Sequence, residues 1–261
     1  MAKRAMSSEK ASKVKRRGHE REREFARLMG IEESYENDKK AKKDVIDFNG
    51  DGHSVKGGKW WQIFLYSPNR IQKDYGFLAM NGIGELILDC LNVFPPSRAE
   101  YLTDKNRYKI ALQTPMRELK ERLCEKNRLK AFLSKAIFNG GEVQFLTVFV
   151  KDDAEICIFY FEDVVETLAQ YLTVQNSGAK RAGEFEAQKV LFKLNGVNVG
   201  EIEVRNDSDI HYREIKFRFN AQKITHLLCE KIFDYDCPNA INGVPNERIL
   251  RFGKAMKRFK V

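Results

Sequence analysis

The residues of this chain best placed by type and spacing to do chemistry are Asp44 and Lys56, in the stretch "DVIDFNGDGHSVKGGKWWQIFLY" at residues 44–66. Two runs with strand character, Asp44 to Phe48 and His53 to Tyr66, flank a turn rich in Gly, Asn and Asp, which is the pattern of a β-hairpin. Asp44 lies on the first run. Ser54, Lys56, Trp60 and Gln62 share parity on the second, where Gly57 and Gly58 are positioned to kink the strand. A carboxylate and a lysine meeting across a hairpin at a sheet edge, backed by a basic surface, suit hydrolysis of a phosphodiester. The acid would hold Mg²⁺, which offsets charge developing at phosphorus, and the lysine would orient or help activate the attacking water.

The remaining elements have to position that pair. The chain has 261 residues, 43% of them hydrophobic, enough for a substantial core in one large domain or two small ones. Lys and Arg exceed Asp and Glu by 9, which favours a polyanionic partner. The excess is concentrated at the ends: residues 1–17 hold seven Lys or Arg against one Glu, and residues 247–261 hold six against one Glu. No stretch reaches the roughly 18 apolar residues of a membrane span, and no apolar signal segment opens the chain, so a cytosolic protein is expected. Cys90, Cys124, Cys157, Cys229 and Cys237 are scattered without a CxxC, as expected of reduced packing residues and not of a zinc site.

After the basic arm, "GHEREREFARLMG" predicts a charged helix closing on Gly30, with Phe25, Leu28 and Met29 as its apolar side. "GFLAMNGIGELILDCLNVFPPSR" predicts a loop and helix stopped by Pro95 and Pro96. "TPMRELKERLCEKNRLKAFLSKAIFNGG" predicts one long helix with Thr114 as N-cap, ending at Asn139, Gly140 and Gly141. "EVQFLTVFV" and "EICIFYF" form a second hairpin about "KDDA", followed by a helix over "EDVVETLAQYL". Beyond residue 173 come a polar loop, a hairpin about Asn195 and Gly196, the strand "HYREIKFRF", and a helix from Asn220. The pattern predicts an α/β (α+β) protein with a central mixed sheet flanked by helices and a strand-rich C-terminal half. The expected division is a basic arm at 1–17, a core at 18–141 and a second half at 142–261.

"DVID" followed by "SVK" resembles the signature of the PD-(D/E)XK nuclease superfamily, an acid on one strand and then an acid or substitute, any residue, and lysine. "RGHEREREF", residues 17–25, is similar to the R-G-x-x-x-E-R pattern at the first helix of archaeal Holliday-junction resolvases of the same superfamily, and it maps their metal-binding glutamate onto Glu22. Chain length and the separate C-terminal half resemble a type II restriction endonuclease more closely. The motif-bearing resemblance covers residues 17–66. It implies a nuclease-like core, Mg²⁺ as cofactor, double-stranded DNA as substrate, a cognate methyltransferase as functional partner, a prokaryotic cytosolic setting, and a monomer or homodimer. The chain departs from the pattern at Ser54, where the family usually has Asp or Glu; Glu22 and the carbonyl of Val55 are the expected replacements. Among the aspartates of the hairpin the order of preference as metal anchor is Asp44, Asp51, Asp47. Gln62 is a candidate for contact with the reacting phosphate.

Plainer readings compete at each position. Lysine on a sheet edge discourages edge pairing. The Glu/Arg run of residues 20–24 can be an exposed helix face laced by ion pairs. Trp60 and Trp61 should pack on opposite sides of the sheet. His53 alternates with Ser54 and so faces away from the site, as a surface or packed histidine. For DNA contact, "SGAKRAG" places Lys180 and Arg181 on a loop suited to a groove, with Arg181 able to pair with guanine. Arg17 and Lys59 are further candidates for phosphate contact. Arg248, Arg251, Lys254 and Arg258 would track phosphates from one face of a C-terminal helix. Two alternatives stand beside the restriction enzyme: a structure-selective nuclease, and a DNA-binding protein in which Ser54 marks lost catalysis.

Overall fold

The computed structural model describes residues 8–32, 44–150, 155–179, 183–232 and 249–251. Two five-stranded sheets carry the architecture. Strands β1 (Val45–Ile46), β2 (Gly52–Lys56), β4 (Phe145–Val150), β5 (Glu155–Tyr160) and β10 (Ile249–Arg251) form the first, in the order β1-β2-β4-β5-β10. Strands β3 (Trp60–Tyr66), β6 (Thr173–Asn176), β7 (Lys189–Leu194), β8 (Val197–Arg205) and β9 (Glu214–Asn220) form the second, in the order β3-β9-β8-β7-β6. The mixed α/β architecture expected from the pattern is present.

The sheets differ in how their sequences alternate. The burial of β4 ("FLTVFV") and β5 ("EICIFY") is nearly continuous, because both faces of the first sheet are covered. In β9 ("EIKFRFN") buried and half-buried residues alternate strictly, as one face of the second sheet packs on the core and the other meets water. On the first sheet, helix α1 (Ser8–Leu28) lays Phe25 and Ala26 against Val45, Val55, Phe145, Phe149, Ile156 and Ile158. The opposite face contributes Leu146, Val148, Cys157 and Phe159 to a larger core that also takes in the inner face of the second sheet. Phe217 sits near the middle of its aromatic part, with ring centroids of Phe219, Phe132, Phe192 and Phe64 at 4.7, 5.1, 5.1 and 5.6 Å.

Several boundaries differ from the sequence expectation. The run from His53 to Tyr66 is two strands in two sheets: β2 ends at Lys56, Gly57 to Lys59 turn the chain, and β3 joins β9. The expected division at residue 141 is crossed in both directions. β4 and β5 complete the sheet begun by the β1–β2 hairpin, while β3, from the first part of the chain, is hydrogen-bonded into the sheet of the second. The expected helix from Thr114 is two helices, α6 (Lys105–Cys124) and α7 (Lys126–Phe138), separated at Glu125. Asp104, which accepts the Arg107 amide at 3.1 Å, is the N-cap in place of Thr114, and Pro115 lies inside α6. Pro115 leaves the carbonyl of Ala111 without its helical donor; Ala111 is exposed, so that carbonyl can turn to water. The helix does end in a left-handed Asn139, Gly140 and Gly141, as the composition predicts. The remaining α-helices among the described residues are α2 (Pro68–Lys73), α3 (Tyr75–Ala79), α4 (Ile83–Asn92), α5 (Arg98–Thr103), α8 (Phe161–Tyr171) and α9 (Ala221–Ile232). No described helix is long and apolar enough to cross a membrane.

Candidate active site

β1 and β2 form the antiparallel hairpin expected, with Val45 opposite His53 and Ile46 opposite Gly52. Because β1 is only two residues long, it pairs with Gly52 and His53 alone, and among the described residues no backbone partner follows them on that side of β2. Asp44, just before β1, fills the place with its side chain. One carboxylate oxygen, Oδ2, accepts the Val55 amide at 2.8 Å, the Lys56 ammonium at 3.2 Å and the Ser54 hydroxyl at 3.4 Å. The ammonium also donates to the Val55 carbonyl at 3.3 Å. The side chains of Lys56 and Asp44 are 21% and 30% exposed, so the ion pair is open to a ligand yet backed by protein. Asp44, Ser54, Val55 and Lys56 are thus brought together at one end of a strand.

The other aspartates of the hairpin do different work. Asp47 Oδ1 accepts the amides of Asn49 and Asp51 at 2.8 and 2.9 Å, pinning the turn, and its Oδ2 meets His53 Nε2 at 3.3 Å. His53 Nδ1 lies 2.9 Å from Thr147 Oγ1, and the ring packs between Phe25 and Phe145. Both Asp47 and His53 side chains are fully buried. Burial by itself raises the Asp47 pKa, but the hydrogen bond from His53 and those from the turn amides outweigh it and hold the carboxyl below its ordinary value. His53 is therefore a packed histidine, on the opposite face from Ser54. Asp51 sits before the first residue of β2, four residues from Val55, so along an extended strand it lies about 13 Å from the Asp44 carboxylate. That distance removes Asp51 from the metal set expected from the sequence, and the burial and bonding of Asp47 remove it as an anchor.

Glu22 precedes Phe25 by three residues, which puts it near the sheet-facing side of α1, and its Oε2 lies 3.0 Å from His19 Nδ1. Among the described residues no group of three or more His, Cys, Asp or Glu side chains converges as a metal site, so Glu22 is not assembled with Asp44 and a further acid. The oxygens bonded together at the end of β2 include the partly exposed Asp44 carboxylate, the Val55 carbonyl and the Ser54 hydroxyl. Such a set fits Mg²⁺, which characteristically keeps several waters and takes one or two carboxylates together with substrate phosphate. Gln62 is displaced from the site: the strand breaks after Lys56, and Gln62 lies in the second sheet opposite Arg218. Gln62 and Lys56 do not share a face, because they are not on one strand.

The basic segments are only partly described. Helix α1 begins at Ser8 and so absorbs most of the expected arm, including Lys10, Lys13, Lys15, Arg16 and the exposed Arg17. From Phe25, where it touches the sheet, to Ser8 the helix extends about 25 Å. Lys59 is exposed in the link between β2 and β3. Lys180, Arg181, Arg248, Lys254 and Arg258 lie outside the described residues. Arg251 is on β10, parallel to β5, and not on the expected helix.

The outer face of the second sheet has its own charge pattern. Lys189 pairs with Glu201 and Glu203, Lys216 with Glu203, and Arg218 with Glu201. Burial tends to raise the Glu203 pKa, but Lys189 and Lys216 lower it to about 2. Arg218 also stacks over Trp60 at 4.6 Å, and Trp60 is exposed while Trp61 is buried on the other face. Much of the charge on this face is matched within the protein. Cys90 and Cys157 are buried, Cys229 is half-buried and Cys124 exposed, with the Cys157 and Cys229 sulfurs 3.8 Å apart; Cys237 lies outside the described residues.

Comparison of the chain with protein-family models gave no match, and neither the curated proteins nor the solved structures gave one. The functional assignment therefore depends on the chemistry of the residues themselves.

Proposed function

We propose that the protein is a Mg²⁺-dependent DNA endonuclease acting at the open end of β2. The observation that carries this is the Asp44 carboxylate, 3.2 Å from the Lys56 ammonium and anchored at 2.8 Å to the Val55 amide at a partly exposed strand end. Supporting it are the excess of nine positive charges and the basic N-terminal half of α1, which extends from the elements that hold the pair.

Asp44 and the Val55 carbonyl would hold the cation. When bound, Mg²⁺ would supply charge neutralisation at the reacting phosphate. Asp44 is fixed by the strand amide, so it needs no rearrangement to present its second oxygen. The Lys56 ammonium, held by Asp44 and the Val55 carbonyl, is placed to donate to a non-bridging phosphate oxygen or to orient the attacking water. Arg17 and Lys59 would contact flanking phosphates, giving affinity without sequence preference. Double-stranded DNA cut at a defined sequence is the finer form of the proposal, with a methyltransferase protecting the host's own sites.

The test is incubation of the full chain with phage-length linear DNA and Mg²⁺, beside EDTA and Lys56→Ala controls. Discrete Mg²⁺-dependent fragments that vanish with Lys56→Ala are expected. Cleavage confined to four-way or mismatched DNA would replace sequence specificity with structure selectivity. Tight DNA binding with no cleavage of either substrate in Mg²⁺ or Mn²⁺ would overturn the nuclease assignment in favour of a binding protein, consistent with Ser54 at the acid position.

A further inference from the structure

Gly57 and Gly58 follow Lys56 directly, and they are glycine for different reasons. Gly58 has φ +84°, a left-handed conformation that favours glycine. Gly57 does not have a positive φ; what it lacks is room. A Cβ placed there would stand 2.7 Å from Cζ, Nε and Nη1 of Arg21, and one on Gly58 would stand 3.8 Å from Nη1. The Arg21 guanidinium thus lies flat against the backbone that leaves the end of β2.

The register explains how it gets there. Phe25 packs on His53 at 4.8 Å between ring centroids. Arg21, one helical turn earlier, then falls over Gly57, one residue past the end of the strand. His53, Val55 and Gly57 share the strand face toward α1, whereas Ser54 and Lys56 face away. Arg21 therefore reaches the strand end from one side of the sheet and the Lys56–Asp44 pair from the other. Arg21 is half-buried, as a cation braced by protein and still reachable by a ligand would be. Arginine matches phosphate with two parallel donors, which a lysine does not.

We propose that Arg21, seated on Gly57, is a second phosphate-binding cation of the site, contacting the DNA backbone beside the phosphate addressed by Lys56. The proposal rests on the nuclease reading for its substrate but concerns binding, so the two can fail separately. Gly57→Ala is the informative variant. It changes no charge and replaces neither Asp44 nor Lys56, and the nearest atoms it displaces are the far end of a flexible side chain.

The experiment measures binding of the full chain to a fluorescein-labelled duplex and a labelled four-way junction in EDTA, across a salt titration, with thermal unfolding of each variant recorded in parallel. Arg21→Ala and Gly57→Ala are each expected to weaken binding roughly tenfold and to reduce the slope of log K against log salt by about one, the loss of one phosphate contact. Arg21→Lys should recover part of the affinity. Arg27→Ala, an exposed arginine of the same helix paired with Glu24, should stay within roughly twofold of wild type, as expected of a charge remote from the phosphates. Binding by Gly57→Ala with wild-type affinity and salt slope would overturn the proposal, as would an Arg21→Ala loss no larger than that of Arg27→Ala. If Gly57→Ala unfolds, the comparison of Arg21→Ala with Arg21→Lys and Arg27→Ala decides it. A wild type that cuts DNA while the Arg21 variants bind it normally defeats this inference alone. A wild type that binds but never cuts defeats the nuclease reading alone, and one that binds neither DNA defeats both.

Discussion

Asp44 and Asp47 stand three residues apart on opposite faces of the same hairpin, and the structure gives them separable jobs. Replacing Asp47 by Ala removes the acceptor for two turn amides and for His53, whose side chain is fully buried. Each orphaned amide costs about 1 kcal/mol and the stranded buried histidine about 2, for a loss of roughly 4 kcal/mol. That is a large share of the 5–15 kcal/mol typical of a folded protein. Asp44→Asn keeps an oxygen for the Val55 amide and loses an ion pair that is already a fifth to a third exposed, so its cost should stay at about 1 kcal/mol or less. Urea unfolding of both variants, run beside the DNA cleavage assay, measures the two effects independently. The expected outcome is an Asp47→Ala protein with a much lower midpoint, and an Asp44→Asn protein with a near-normal midpoint and no cleavage. Asp44→Asn destabilised as much as Asp47→Ala would show that Asp44 is a strand-edge cap in the service of folding. Asp47→Ala with an unchanged midpoint would refute the orphaned-network reasoning.

Further outcomes follow from the core and the charge ladder. Phe217→Ala, at the centre of the aromatic cluster, should cost about 3–5 kcal/mol, read as a lowered urea midpoint with the cavity left between Phe64, Phe132, Phe192 and Phe219. Glu203 has its folded pKa depressed from 4.5 to about 2, so its contribution is present above the unfolded value and is lost as pH falls from about 4.5 toward 2. The size of that contribution is at most about 3 kcal/mol. Glu203→Gln should therefore lower stability at pH 7 and flatten its dependence on acid between those values; an equally steep acid transition in the variant would contradict the assignment. Lys56→Ala should remove cleavage while leaving thermal stability close to wild type, since its ion pair is partly exposed.

Much of the local structure was legible in the chain. The hairpin at residues 44–56, the second hairpin through β4 and β5, the turn at Asn195 and Gly196 and the helix end at Asn139 all follow from short-range preferences, which the sequence states directly. The pairing of Asp44 with Lys56 was legible too, because a hairpin converts sequence separation into a fixed cross-strand distance. The switch of the chain from one sheet to the other after Lys56 was not. Parity is meaningful only within one strand, and whether Gly57 and Gly58 bend a strand or end it depends on the partner waiting at β9. That error carried Gln62 into the site. That His53 faces away from the site was legible from its alternation with Ser54, but its partners were not: Thr147 and Phe145 lie more than ninety residues away in sequence on β4. Arg21 left a faint mark in the glycine opposite it, a glycine that no backbone angle requires. Sequence alone therefore set the residue types, the periodicities and the tight turns, all of which act over a few bonds. Only tertiary packing decided which faces met and which acids shared a strand end, because those depend on contacts between segments far apart in the chain.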